Sequence, residues 1–295
     1  MDRRTFLRGS TAGAVAGAAA GTMPAPAIAQ NKMQLKMVTT WPKNFPGLGT
    51  SAERLAQRIT DMTDGRISVK VFGAGEIVPA FESFDAVSSE TADMYHGAEY
   101  YWQGKSKAFS FFAAVPYGFT AQEMNAWIHF GGGQELWDEL AADFGIKPFA
   151  ACNTGVQMGG WFRKEINSLD DLKGLKMRIP GFAGEVFAEV GVNPTNIAPG
   201  ELYTALERNT IDAVEWVGPA LDLRLGFQQI ADYYYTGWHE PATELQFLVN
   251  KRVWEKLPAD LQEIMRVAMR TASYDMLVHS QHANAEAWAN IREEY

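Results

Sequence analysis

Hydrophobic positions along the chain switch between the two-residue repeat of a strand and the 3.6-residue repeat of a helix. Leu35, Met37 and Thr39 alternate with outward-facing neighbours, which predicts a strand over 35–40. Ala52, Leu55, Ala56, Ile59 and Met62 share one helical face; Thr50-Ser51-Ala52-Glu53 reads as a capping box at its start, and Gly65 closes it. Ile67, Val69 and Val71 alternate with Ser68 and Lys70 as a half-buried strand, and Phe81, Phe84 and Val87 suit the buried face of a second helix. A short strand over 93–96 follows. Strand, helix and strand in this order predict an α/β fold with largely parallel strands.

A second series begins near Ile146, with an apolar strand to Ala151, a turn over 168–174 and a strand over 176–179. Helices over 183–190 and 200–208 lead to a strand over 213–217. A strand over 245–250 precedes Pro258, after which Leu261, Ile264, Met265 and Ala268 open a helical pattern that runs to the end. The division expected is a first lobe over 30–150 with part of 240–295, a second lobe over 151–239, and a long helix over 258–295. That helix would exceed ~50 Å at 1.5 Å per residue, enough to cross both lobes.

The first 29 residues have another character. Arg3-Arg4-Thr5-Phe6-Leu7-Arg8 precedes a weakly apolar run from Gly9 to Gly21 and then Ala27-Ile28-Ala29. Basic region, short apolar core and A-x-A site in that order predict a twin-arginine signal peptide cut before Gln30, and hence a periplasmic protein. A membrane anchor is the alternative, but the run is far short of the ~20 residues that span a bilayer.

Composition and charge then remove whole classes. With 295 residues, 47% of them hydrophobic and 21% charged, the chain is neither a disordered tail nor a collagen, and one cysteine rules out a disulfide-stapled miniprotein. The net charge is −9; losing the first 29 residues, which carry a net +2 (Arg3, Arg4, Arg8, Asp2), makes it −11. Such a surface repels a polyphosphate backbone, so no nucleic-acid partner is expected. Cys152 lies in an apolar run and is expected to be a buried, inert thiol. The chain lacks a G-x-S-x-G elbow, an H-E-x-x-H pair, a P-loop and a G-x-G-x-x-G turn, and its five histidines are scattered, which argues against a transition-metal cluster.

Three segments carry specific patterns. Asn153-Thr154-Gly155-Val156-Gln157-Met158-Gly159-Gly160-Trp161-Phe162 follows the strand ending near Ala151. Gly174-Leu175-Lys176-Met177-Arg178-Ile179-Pro180-Gly181 places an arginine at a strand end, and Ile211-Asp212-Ala213-Val214-Glu215-Trp216-Val217-Gly218-Pro219 places Glu-Trp on another. With Asp64-Gly65-Arg66, Val71-Phe72-Gly73-Ala74-Gly75-Glu76 and Tyr233-Tyr234-Tyr235-Thr236-Gly237-Trp238-His239-Glu240, the chain resembles the solute-binding subunits of tripartite ATP-independent periplasmic (TRAP) transporters. It is most similar to the branch that binds α-keto acids such as pyruvate. The resemblance runs from about Gln30 to the last residue and implies a two-lobed periplasmic binding protein fold with a hinged cleft. It implies partner permease subunits in the membrane, more helix beyond Tyr295 and a homodimer formed partly through that helical region.

The residues themselves agree. Ligands of α/β folds collect at the carboxyl ends of parallel strands, where Arg178 falls. A guanidinium offers a planar fork that meets a carboxylate bidentately and keeps its charge; the alternative is a surface ion pair, for instance with Glu185. Gln157, Glu215 and the Trp216 carbonyl supply hard oxygens without imidazole or thiolate, which suit an alkali or alkaline-earth ion. The resemblance implies that a cation at these positions also meets the substrate carboxylate. A monoanionic acid, Glu215 and Arg178 leave one negative charge, which sodium neutralises; an ionised Glu240 facing the cleft would favour calcium. Tyr101 is placed to reach a keto or hydroxy oxygen from the first lobe, and Asn153 is either a polar contact or a turn cap. Trp161, Phe182 and Trp216 are expected to give the apolar wall, with core packing as the alternative for each. The expected role is capture of a small 2-oxo or 2-hydroxy monocarboxylate for transport. The alternatives are an exported enzyme acting on a small carboxylic acid, with Glu215 as base, and a ligand-loaded sensor subunit.

Overall fold

The computed structural model describes residues 32–295, so the signal-peptide reading lies outside the described residues. Ten strands form two five-stranded sheets. They are β1 (Met33–Thr39), β2 (Ile67–Phe72), β3 (Met94–Gly97), β4 (Ile146–Asn153), β5 (Met158–Phe162), β6 (Lys176–Arg178), β7 (Asn193–Thr195), β8 (Ala213–Val214), β9 (Tyr233–Thr236) and β10 (Glu244–Asn250). The α-helices are α1 (Leu48–Met62), α2 (Ser83–Ser88), α3 (Ala121–Phe130), α4 (Gly133–Ala142), α5 (Gly181–Glu189), α6 (Leu202–Glu207), α7 (Pro219–Leu225), α8 (Lys251–Lys256) and α9 (Ala259–Glu294).

The first sheet has the order β2-β1-β3-β10-β4 and the second β7-β6-β8-β5-β9. The strands are not largely parallel. β1 pairs with β2 and β3, and β6 with β7 and β8, in parallel; the pairings of β10 and of β5 are all antiparallel. The reason is connectivity: β10 and β5 belong to the stretches where the chain passes from one sheet to the other, over 154–157 and 237–243, and each returns against its neighbours.

Apolar burial follows the predicted faces. Leu35, Met37, Leu55, Ile59, Phe149 and Phe247 pack with Met265 and Met269 of α9, and each such side chain stabilises by about 1.5–3 kcal/mol. Phe162, Leu175, Met177, Ile179 and Val192 fill the second lobe. The long helix is continuous over 36 residues. Asp275 pairs with Arg58 of α1, and Asn284 Oδ1 accepts from Ala220 N of α7 at 3.0 Å, so α9 touches both lobes.

Two local expectations change. α1 starts at Leu48, after Gly47 in a left-handed turn (φ 72°), so Thr50 lies inside the helix and donates back to Gly47 O at 3.2 Å instead of capping. β8 stops at Val214 because Asp222 Oδ1 accepts from Val217 N (3.1 Å) and Gly218 N (2.9 Å), pulling the chain into α7. Glu215 and Trp216 thus stand just past the ladder.

Candidate cation and anion site

Polar side chains converge where strand ends and crossing segments meet. Arg178 is the last residue of β6, Glu215 and Trp216 follow β8, Gln157 lies on the first crossing and His239 and Glu240 on the second. The crossings are bonded together, with Gln157 N donating to Glu240 O at 3.0 Å and Thr154 N to Thr243 O at 3.1 Å. They approach so closely at Gly237 that a Cβ there would stand 2.4 Å from Gln157 O, which only glycine avoids.

Arg178 is 1% exposed. Its Nη1 donates to Glu215 O at 2.6 Å and to Glu215 Oε2 at 3.0 Å, and Nη2 donates to Tyr101 OH at 3.3 Å across the cleft. The guanidinium carbon stands 5.4 Å from the centre of the Trp216 ring. Five donors minus those three leave Nε–H and one Nη2–H, the pair that meets a carboxylate side-on. Nε has no partner among the described residues. Glu185 is paired instead with Lys107 at 2.9 Å.

Other buried polar atoms here are also unpartnered: Gln157 Oε1, Glu215 Oε1, His239 Nε2 and the indole nitrogens of Trp41 and Trp216. A buried acceptor without a donor costs about 1–3 kcal/mol, so this grouping is costly unless something completes it. Gln157 Nε2 is fixed on Thr154 Oγ1 at 3.0 Å, which turns Oε1 into the free end. The acceptors on Gln157 and Glu215 fit a hard cation. The donor set is wider than oxygen alone, because ligand atoms of Glu215, His239 and Glu240 all lie within 4.8 Å of one another. His239 Nε2 is 3.6 Å from Glu215 Oε1, too far for a hydrogen bond.

Burial dominates the electrostatics. It pushes the Glu215 carboxyl up to about 8 against the pull of Arg178, and Glu240, with Glu215 nearby, up to about 7. It holds the His239 imidazole below its ordinary value and lifts the Tyr101 phenol to about 12, so both are neutral near pH 7.

Among the predicted residues, Arg178, Gln157, Glu215, Trp216, Glu240 and Tyr101 come together. Asn153 does not join them: its Nδ2 donates to Glu244 Oε2 at 2.9 Å and its Oδ1 accepts from Gly155 N at 2.8 Å. Two neighbours were missed. His239 is remote in sequence from Glu215, and Trp41 stands edge-on to Trp216 at 6.1 Å and to Tyr101 at 6.3 Å. Trp41 lies just beyond the carboxyl end of parallel β1, so the rule that located Arg178 also points to it. Size is a poorer guide: an apolar groove of about 780 Å³ lined by Phe111, Phe112, Trp127 and Leu140 contains none of these residues.

Comparison with known proteins gives the family. The model of bacterial extracellular solute-binding protein, family 7 (DctP) matches residues 37–294. A relative from Nostoc sp., named a monocarboxylate 2-oxoacid-binding periplasmic protein, is 46% identical over 257 residues, covering 87% of this chain and 70% of that one. A TRAP periplasmic solute binding protein from Pseudoalteromonas atlantica, solved with bound sodium and pyruvate, is 55% identical with a TM-score of 0.87, over 90% of this chain and 80% of that one. Its counterpart from Colwellia psychrerythraea, solved with bound calcium and pyruvate, is 53% identical with a TM-score of 0.86 over the same shares. No helix among the described residues is long and apolar enough to cross a membrane. The chain belongs to family 7 of the bacterial extracellular solute-binding proteins, the TRAP solute-binding proteins, with their two-lobed α/β fold and long C-terminal helix.

Proposed function

We propose that this protein captures a small 2-oxo monocarboxylate such as pyruvate in the periplasm, together with a cation, and hands it to TRAP permease subunits. The observation that carries the reading is the buried Arg178, whose Nε–H and remaining Nη2–H are free, beside unpartnered acceptors on Gln157 and Glu215. The guanidinium would orient the carboxylate, and the Tyr101 hydroxyl, already 3.3 Å from Arg178 Nη2, would reach the 2-oxo oxygen. Gln157, Glu215 and the Trp216 carbonyl would hold the cation, with Glu240 beside them. When bound, the ion supplies the positive charge that lets a second anion enter a site already holding Glu215. Shielding from water strengthens every one of these charge contacts.

Sodium is the ion proposed. With Glu215 ionised beside the bound ion and Glu240 neutral, the acid, Glu215 and Arg178 sum to one negative charge, which a monovalent ion cancels. Sequence similarity to proteins solved with sodium or calcium and pyruvate supports the class of ligand and ion.

Calorimetry of pyruvate and longer 2-oxo acids, after exhaustive chelation and then with sodium or calcium restored, tests the reading. Binding should weaken in the depleted buffer and return with sodium; indifference to both ions would remove the cation. A binding protein returns its ligand unchanged, so proton NMR after prolonged incubation should show pyruvate alone. Native mass spectrometry would weigh acid, ion and any second copy of the chain together.

A further inference from the structure

Outside the charged cluster the two lobes also touch at the surface. The Phe111 ring stands edge-on to Phe182 of α5 with centroids 5.2 Å apart. Tyr117 stacks on Trp238 at 5.6 Å and 29°, and Trp238 stacks on Phe187 of α5 at 5.5 Å. Lys107 Nζ is 2.9 Å from Glu185 Oε1, one helical turn along α5 from Phe182. The segment carrying Lys107, Phe111 and Tyr117 is fixed to the first sheet, where Glu244 N of β10 donates to Ala113 O at 3.0 Å. Its partners α5 and Trp238 adjoin the second sheet.

Tyr117 carries a second mark. It is 82% exposed, yet its ring is stacked, and its φ is +55°, a left-handed conformation that strains a bulky residue. Strain held at an exposed aromatic calls for a role that the packing of its own lobe does not supply.

We infer that Lys107, Phe111 and Tyr117 on the first lobe, with Glu185, Phe182 and Trp238 on the second, form a clasp that holds the lobes closed and slows escape of the bound ligand. Phe182 was expected on the ligand's apolar wall but stands against Phe111 instead, and none of the other five has been placed on the ligand. The part concerning escape rests on the function proposed above; the part concerning closure rests on the fold. Each aromatic contact is worth roughly a two- to tenfold change in the closing equilibrium, and the exposed ion pair at most about fivefold. A ligand enters the open form, so losing a contact made on closure raises the escape rate and leaves the entry rate alone.

The test uses Tyr117→Asn, because asparagine tolerates the left-handed backbone and removes the ring, and Tyr117→Phe, which keeps the stack. Stopped-flow measurement with pyruvate should give an escape rate about three- to tenfold higher in Tyr117→Asn, an entry rate unchanged, and wild-type rates in Tyr117→Phe. Spin labels on cysteines placed at Lys70 and Lys173, one per lobe, would read the closed fraction with and without pyruvate, and Tyr117→Asn should lower it. Equal escape rates and equal closed fractions in variant and wild type would overturn the clasp. If pyruvate moves neither heat nor label distance in the wild type, the ligand reading fails by itself. The closed fraction then decides alone: lower in Tyr117→Asn supports the clasp, and equality overturns it.

Discussion

Glu215 and Glu244 are both buried glutamates whose carboxyls desolvation pushes up to about 8, and they differ in what surrounds them. Glu244 Oε2 accepts from Asn153 at 2.9 Å, and its Oε1 accepts from Cys152 N and Ser273 Oγ, each at 3.3 Å. Those bonds tie β10 to β4 and α9 beside the crossing segments. Glu215 has Arg178 on one oxygen and no partner on the other, in a group of similarly bare atoms. A completed network fixes geometry; a half-completed one keeps a standing cost that a ligand can relieve. Burial and a raised pKa are common to both, so neither marks a site. Unpartnered atoms gathered in one place do, whereas single ones occur elsewhere, as at Ser110 Oγ and Trp102 Nε1.

The largest effect should come from breaking the incomplete half. Arg178→Ala is expected to weaken pyruvate binding about 100-fold, the loss of two charge-assisted hydrogen bonds. It also strands Glu215, at a cost of about 3–5 kcal/mol to the folded state. Calorimetry and urea unfolding read the two separately. Asn153→Ala, in the complete half, should cost about 1–3 kcal/mol of stability and leave pyruvate affinity within about twofold. A tenfold affinity loss there would make Asn153 a ligand contact after all.

Titration gives a smaller, graded effect. The carboxyls of Glu99, Glu215 and Glu244 are raised to about 8 and those of Asp222 and Glu240 to about 7, from 4.5 for the glutamates and 3.8 for the aspartate, chiefly by desolvation. Raised carboxyls favour the folded state while it keeps their protons. That contribution is fully present below the ordinary carboxylate range and is lost progressively as pH rises from there to about 8. Unliganded stability from these groups should therefore fall over that window, and Glu244→Gln should reduce the slope by at most about 1.4 kcal/mol per pH unit. Smallest of all, Glu240→Gln should leave sodium-dependent binding in place and weaken the response to calcium about tenfold, since ligand charge sets calcium affinity.

Much of this was legible in the sequence. Alternating apolar positions located β1 and β2, short apolar runs marked β4, β6 and β10, and the segments that resemble TRAP solute-binding subunits drew attention to Arg178 and Glu215. Cys152 is buried as expected, with its thiol pushed up to about 12 by burial. Other elements escaped for physical reasons. Of α3's ten residues only Met124 and Ile128 are buried, which is too weak a periodicity to read. β5 contains Gly159-Gly160, and β9 is a tyrosine run without alternation. Thr50 and Glu53 have capping spacing, yet Gly47 lets the chain enter the helix earlier. His239 was invisible as a neighbour of Glu215 because the approach of the second crossing to the end of β8 joins residues far apart in sequence.

The most direct test is a crystal structure of the protein grown with pyruvate and sodium. The account predicts a carboxylate held side-on by Nε and Nη2 of Arg178, with an ion on the oxygens of Gln157, Glu215 and Trp216. Pyruvate bound elsewhere, or Arg178 turned away from it into solvent, would contradict it.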